Sequence, residues 1–440
     1  MVFKPGYKNL VLILILILLC SVLSSLSFAE TDSMLDSGFI VNAKIKSLAA
    51  GTKAEYYTKT SDIKAIRMAD SLPKDFRPSD ANTVSSVDSH QPIYIFFDNT
   101  DDAGVMYFYT KSKRILINPN SSYLFANNEA LTDISALAGW DTSKATTMHA
   151  MFLNAKSLPD ALALRKWNTS NVTDMSYMFS NAISLAYIDV SNWNTGNVMS
   201  MTCMLQVGES HAGNGQLKEI LGLGNLDVSN VTDMTCMFYG AGQMTYYDIS
   251  GWDVSKVESM NHMFCDNYKL RSLDLSAWDV SSVKTIYCMF DDNHELKTIG
   301  DVSHWNTASL IDAGGWLNDS RSFVGNNLGV LDLSGWNTSN LKSAGEMFLN
   351  TKLRTIDLSG WTFDSITNDT WEGWGHGVYY EIGNSSDTLR GFGSMFKGTK
   401  ELNIVYVSQS GLDSFNTAVE NEVNTLDMWT GSEVSGFTVK

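Results

Sequence analysis

Asp189, Asp248, Asp274, Asp301, Asp332 and Asp357 each stand four residues before a tryptophan, and Ser191, Ser250, Ser276, Ser303, Ser334 and Ser359 follow them by two. The residues between alternate apolar and polar, as in Leu273-Asp274-Leu275-Ser276. This period of two places the carboxylates on the open face of a short strand, opposite its apolar side chains. If such strands stack in parallel, the carboxylates come ~4.8 Å apart, where like charges repel. A basic partner or a calcium ion would relieve that. Hydrogen bonds from backbone and serine within each turn would do so too, and this structural role is the favoured reading.

Four cysteines could carry a second chemistry. Cys203, Cys236 and Cys288 share one phase of the same pattern, ten residues after a tryptophan or its equivalent; Cys265 stands three positions further on, in the intervening copy whose tenth residue is His262. On a helix at 100° per residue, position 10 points away from the methionine at position 8, so these thiols are expected near the surface. An even count in an exported chain favours disulfides. Pairing Cys203 with Cys236 and Cys265 with Cys288 joins neighbouring copies, and needs Cα atoms about 4.4 to 6.8 Å apart. Zinc held by Cys236, His262, Cys265 and Cys288 is the sharper alternative, but no tight Cys-x-x-Cys clip supports it, so no metal is expected.

Trp371, Trp374, Tyr379 and Tyr380 lie close together in a glycine-containing stretch, Trp371-Glu-Gly-Trp374-Gly-His376-Gly-Val-Tyr379-Tyr380. Aromatic rings on a flexible backbone suit sugars or protein hot spots; a flap packed over neighbouring apolar surface is the competing reading. No nucleophile elbow, phosphate-binding glycine loop, His-Glu-x-x-His or EF-hand loop is present. The seven histidines are scattered, although a triad is assembled in space rather than in sequence. No catalytic residue and no cofactor are expected.

What must position these residues is an internal repeat. Trp140, Trp167, Trp193, Leu226, Trp252, Trp278, Trp305, Trp336 and Trp361 recur at steps of 27, 26, 33, 26, 26, 27, 31 and 25. With each of these as position 0, position 11 is Met151, Met178, Met204, Met237, Met263, Met289, Trp316 or Met347, and position 12 is nearly always Phe. Positions 5, 8, 11 and 12, such as Val172, Met175, Met178 and Phe179, share one face at helical period, which predicts a short amphipathic helix after each strand. Ser170-Asn-Val-Thr-Asp174 would cap its start. One strand and one helix cannot bury their own apolar sides; stacked copies can. The expected fold class is therefore α/β, a solenoid with one short parallel strand and one short helix per ~26-residue repeat.

The array spans about 115–405 and is interrupted at about 367–389 by 23 extra residues that contain the aromatic cluster. Residues 30–114 differ in texture: a helical stretch near Ser61 to Leu72, and a hairpin of Ile93 to Phe97 with Val105 to Tyr109. They are expected to form a small α+β cap over the first repeat, with residues 406–440 closing the other end.

Residues 1–29 have the layout of a secretory signal. Lys4 and Lys8 precede the apolar run Leu10 to Leu19, and Ser27-Phe28-Ala29 offers a cleavage site before Glu30. Lipid modification at Cys20 and an uncleaved anchor are weaker readings, and no later stretch is long and apolar enough to span a membrane. With 31 Lys plus Arg against 48 Asp plus Glu, the acid excess argues against nucleic acid as a partner. At 44% hydrophobic the chain is not a disordered tail.

Trp167-Asn-Thr-Ser-Asn-Val-Thr-Asp-Met-Ser-Tyr-Met-Phe179, Ile188-Asp-Val-Ser-Asn-Trp193 and Asn118-Pro-Asn-Ser-Ser-Tyr-Leu-Phe125 resemble the BspA-like leucine-rich-repeat surface proteins of bacteria. The resemblance implies a leucine-rich-repeat-like solenoid, secreted or held at the cell surface, that binds proteins in adhesion to host matrix or other cells, and it carries over no catalytic residue. The alternatives are a carbohydrate-binding surface module and a hydrolase with a spatially assembled site.

Overall fold

A computed structural model of the chain describes residues 33–50, 62–100, 103–112, 114–209, 212–317, 328–367, 391–421 and most of 423–440. The export segment expected at 1–29 and the cluster Trp371, Trp374, Tyr379 and Tyr380 lie outside the described residues. The described part is mixed α/β, with few helices and small, mostly parallel sheets.

The N-terminal region contains β1 (Ser33–Met34), α1 (Gly38–Ala50), β2 (Ala65–Met68), β3 (Tyr94–Asp98), β4 (Val105–Tyr109) and β5 (Ile115–Leu116). The expected hairpin forms, with β3 antiparallel to β4 from Tyr94↔Tyr109 to Asp98↔Val105. The helix expected near Ser61 to Leu72 does not. Ala65–Met68 is a strand parallel to β4, and the helix is α1, built on buried Val41 and Ile45 one turn apart. Ile63 and Ile66 have helical spacing, but sheet pairing on a buried site overrides so short a periodic signal. Asn42 on α1 donates to the carbonyls of Tyr123 (2.7 Å) and Ala126 (3.0 Å), which ties this region to the first coil of the repeats.

Successive repeats stack in register. Parallel bridges run Asn120, Thr147, Asp174, Ser200, Asp233, Ser259, Thr285, Asp312, Ser343 and Gly391, each paired with the next. Nine of these ten occupy position 7, or its equivalent in the half-repeat, and Gly391 resumes the ladder after the extra residues. A second ladder, ahead of the tryptophans, contains β6 (Tyr187–Asp189) with β7 (Glu219–Leu221), and β8 (Val330–Asp332), β9 (Thr355–Asp357), β10 (Ile404–Val407) and β11 (Thr438–Val439).

The short helix expected in every repeat is absent from the described residues. Positions 8 to 15 form instead a run of tight turns whose backbone groups are accounted for in two directions. N–H groups at even positions donate to the next coil: Met175 to Ser200, Tyr177 to Thr202, Phe179 to Met204 and Asn181 to Gln206. Those at odd positions close turns within the coil, Met178 to Met175, Ser180 to Tyr177 and Ala182 to Phe179. The cause is a left-handed residue at positions 10 and 14, such as Tyr177 (φ 59°), Cys203 (φ 53°) and Cys236 (φ 55°), then Asn154 (φ 58°) and Asn181 (φ 58°). One left-handed residue breaks an α-helix, and two per coil turn amides toward the neighbouring coil. The apolar side chains still meet. Phe125, Phe152 and Phe179 stack at centroid distances of 5.6 and 5.3 Å, and Phe238, Phe264 and Phe290 at 5.6 and 5.6 Å.

Each tryptophan binds the coil before it. The indole N–H of Trp167, Trp193, Trp252, Trp278, Trp305, Trp336 and Trp361 donates to the carbonyl at position −3 of the preceding repeat, at 2.9 to 3.3 Å. The same register employs Asn171, Asn197, Asn230 and Asn340 as donors to the preceding coil, and buried Thr142, Thr169, Thr195, Thr307 and Thr338 as donors to the next. At the C-terminal end α2 (Gln409–Glu420), capped by Ser408, lays Phe415 against Phe363 at 5.7 Å and covers the last coil.

Candidate functional site

Two polar surfaces flank this core. The first is the strand face with the expected aspartate column. Five of the six carboxylates accept the N–H of the serine two residues on, from Ser191 to Asp189 through Ser359 to Asp357, at 2.9 to 3.1 Å. The bonds within each turn that the sequence favours are therefore present. They hold the Asp274 and Asp301 carboxyls below the usual range, with the hydroxyls of Ser276 and Ser303 contributing most and the backbone N–H next. The ends of the column differ from its middle. Burial raises the pKa of Asp189 and Asp357, but serine bonds and the cations Arg165 and Lys440 outweigh it, so both carboxyls are lowered. Asp248, Asp274, Asp301 and Asp332 are exposed. Beside them stand exposed Tyr187, Tyr246 and Val330 (40%, 48% and 66%).

The second surface is the turn ladder. Ser176, Tyr177, Ser200, Thr202, Thr232, Asp233, Glu258 and Ser259 line a groove of about 290 Å³ across four coils. Asp233 accepts the Thr235 N–H at 2.8 Å, and Glu258 pairs with Lys284 at 2.8 Å. Position 7 is Ser, Thr or Asp in every copy from Thr147 to Ser343, and its side chain accepts the N–H two residues on, as in Asp174, Asp233 and Asp312. In the sequence this groove is marked by the Ser, Thr and Asp column at position 7, which the tryptophan spacing alone does not reveal.

The four cysteines sit just behind this surface, not near the solvent. All four are buried free thiols. The exposure expected follows from helical geometry; left-handed backbone at position 10, at Cys203, Cys236, His262 and Cys288, replaces the helix and turns these side chains inward. Cys203 and Cys236, with Cys265 and Tyr239, form a small apolar cluster outside the main core. Cys236 hydrogen-bonds Cys203, and that bond, together with burial, raises its pKa well above the ordinary value; burial foremost raises Cys265 and Cys288. Among the described residues no group of three or more His, Cys, Asp or Glu is arranged to hold a metal ion.

One constellation contains the residue types of a hydrolytic triad. His149 Nδ1 lies 2.7 Å from Ser176 Oγ and 3.6 Å from Asp174, while Nε2 is 2.9 Å from the Tyr123 hydroxyl. A triad needs serine on one ring nitrogen and carboxylate on the other. Here both share Nδ1 and tyrosine occupies Nε2. Burial lowers the pKa of His149, with Asp174 acting in the opposite direction.

Three overlapping stretches, residues 120–219, 207–330 and 299–371, match the family described as "Mycoplasma protein of unknown function, DUF285", and together they cover more than half of the chain. The chain belongs to the DUF285 family. The matched stretches coincide with the stacked coils and include both polar surfaces, so the DUF285 repeat is the unit that carries them. No curated protein matches the chain. A solved structure, "Crystal structure of TLR13-ssRNA13 complex", aligns with 75% of this chain at 12% identity and a TM-score of 0.15. The alignment spans 58% of that protein.

Proposed function

We propose that this chain is a secreted or surface-exposed bacterial protein that binds other proteins through its strand face, in adhesion to host matrix or to other cells. In this reading the coils are leucine-rich-repeat-like and akin to those of BspA-like surface proteins. Export rests on the signal-like layout of residues 1–29. The observation that carries the binding reading is the contrast within the aspartate column. Its two ends are neutralised by Arg165 and Lys440, while Asp248, Asp274, Asp301 and Asp332 stay exposed beside Tyr246 and Val330. A row of fixed carboxylates flanked by aromatic and aliphatic side chains complements a basic protein surface with apolar anchors.

The test is binding of immobilised basic matrix proteins to the chain across a salt series, with the triple variant Asp274→Asn, Asp301→Asn and Asp332→Asn alongside. Asparagine preserves each turn, because its side-chain oxygen still accepts the serine N–H. Three exposed pairs at roughly 0.5 kcal/mol each predict about a tenfold weaker complex and a shallower salt dependence. An affinity that ignores salt and survives the triple substitution refutes the strand face as the binding surface.

A further inference from the structure

The groove on the turn ladder has a one-sided hydrogen-bonding character. Thr232 donates its hydroxyl proton to the Met199 carbonyl, Ser176 donates to Asp174, and the Tyr177 hydroxyl is engaged by the Cys203 thiol behind it. Ser200 and Thr202 share one hydrogen bond at 3.1 Å, and Ser259 shares another with Thr235 at 2.8 Å. Several hydroxyl protons are therefore committed inward or sideways, and the polar atoms left facing the groove, set in a lining that is mostly apolar, lean toward acceptors. Asp233 adds to this. One of its oxygens accepts the Thr235 N–H, and a carboxylate has further lone pairs to offer. Glu258, at the far side, is already neutralised by Lys284. A ligand for such a surface must donate several hydrogen bonds and carry positive charge. An ammonium group, with three donors and no acceptor, fits that requirement; a sugar hydroxyl, which needs donors as well as acceptors, fits it less well. Tyr177, Thr202 and Thr232 are among the residues of the same groove, whose lining is mostly apolar, which gives an aliphatic stem apolar surface to lie on.

We propose that this groove binds a primary ammonium on an aliphatic stem, with Asp233 as its charge partner and the hydroxyl oxygens of Ser200, Thr202 and Ser259 as acceptors. Two sources share that chemistry, a lysine side chain of a partner protein and a free polyamine. The lysine source rests on the protein-binding reading above, whereas the polyamine source stands without it.

The experiment uses the full chain and fluorescence polarisation of a labelled Ala-Lys-Ala peptide and its Nε-acetylated counterpart, with spermidine and unlabelled peptide as competitors. The lysine peptide should bind saturably, and acetylation or Asp233→Asn should each weaken it about tenfold or more, as loss of a charge-assisted bond does. Asparagine at 233 still accepts the Thr235 N–H, so the turn is preserved. Thr232→Lys, on the exposed rim, offers the groove an ammonium from the chain itself and should also abolish binding, which covers the case of a poorly folded Asp233 variant. The strand-face triple variant should bind the peptide unchanged, so failure of the strand face and failure of the groove are distinguishable. Spermidine competing at lower concentration than unlabelled peptide assigns the site to polyamines, and the reverse order assigns it to lysine. Equal binding of the acetylated peptide, indifference to Asp233→Asn, or no saturable binding overturns the proposal.

Discussion

Trp278→Phe and Trp140→Phe make the same chemical change at two similarly buried sites (3% and 6% exposed), yet the structure assigns them different consequences. Each replacement leaves a cavity of roughly 40 Å³, worth about 1 kcal/mol. Trp278 also loses the bond from its indole N–H to the Ile249 carbonyl at 3.0 Å, which contributes about 1 kcal/mol and up to ~3 if that carbonyl stays dry. Trp140 begins the series, and its indole nitrogen is buried with no hydrogen-bond partner among the described residues. Removing a dry donor returns about 1 to 2 kcal/mol of desolvation. Trp278→Phe should therefore destabilise by about 2 to 4 kcal/mol and Trp140→Phe by about 1 kcal/mol or less. Stacked repeats can unfold in segments, so hydrogen exchange on peptides covering each site is the appropriate assay, with urea unfolding followed by circular dichroism as a check. Equal losses at the two sites would show that the indole bonds do not hold the coils together.

Asp312 offers a pH test. Burial raises its carboxyl to about 6, with the Gly314 N–H and Ser343 pulling the other way. Its folded pKa lies above the unfolded value of about 3.9, so the stability linked to this proton is full below that value and is lost as pH rises through about 6. Asp312→Asn, which still accepts from Gly314, should stabilise the chain by up to about 3 kcal/mol at pH 7.5 and leave it unchanged near pH 3.5; a melting-temperature difference that does not vary with pH contradicts this. The thiols give a simpler test: all four are buried and out of reach of a reagent in water, so iodoacetamide should leave Cys203, Cys236, Cys265 and Cys288 unlabelled in the folded chain and label all four after denaturation. A Cys203–Cys236 bridge found by peptide mapping would contradict the free thiols.

The period of the coils was legible because a core built by stacking requires the same residue at the same place in each copy, and tryptophan, methionine and phenylalanine recur at 0, 11 and 12. The conformation between positions 8 and 15 was not. Spacings of three and four satisfy a helical face, and a succession of three-residue turns satisfies them equally, so hydrophobic period alone does not separate the two. The discriminating signal was polar. Asn154, Asn181, Asp266, Asp292 and Asn350 all stand at position 14 with φ between 56° and 60°, and Asn and Asp are the side chains that tolerate left-handed backbone best after glycine. The placement of the thiols near the surface depends on the same helical geometry and fails with it. The aspartate column escaped it, because a turn closed onto the serine two residues later is a local bond that depends on no longer-range geometry.

The same local bonds explain how one repeat supports two different surfaces. Aspartate or asparagine closes a turn at position −4, as in Asp274, at position 1, as in Asp253, and at position 7, as in Asp233. Each corner needs only one side-chain oxygen and one N–H, so Asp and Asn are interchangeable for folding and differ only in charge. At position 1 both occur, Asn168 and Asn194 beside Asp227, Asp253 and Asp279. At position −4 six of the nine copies carry Asp and none carries Asn, and four of the six are exposed. Folding alone does not require charge there, since each added carboxylate brings like charges closer together. The column is interrupted where Ala136, Ala163 and Gly222 take the same position, so its charge is local to the copies from Asp248 to Asp357 and to Asp189, on a scaffold whose turns would accept asparagine equally well.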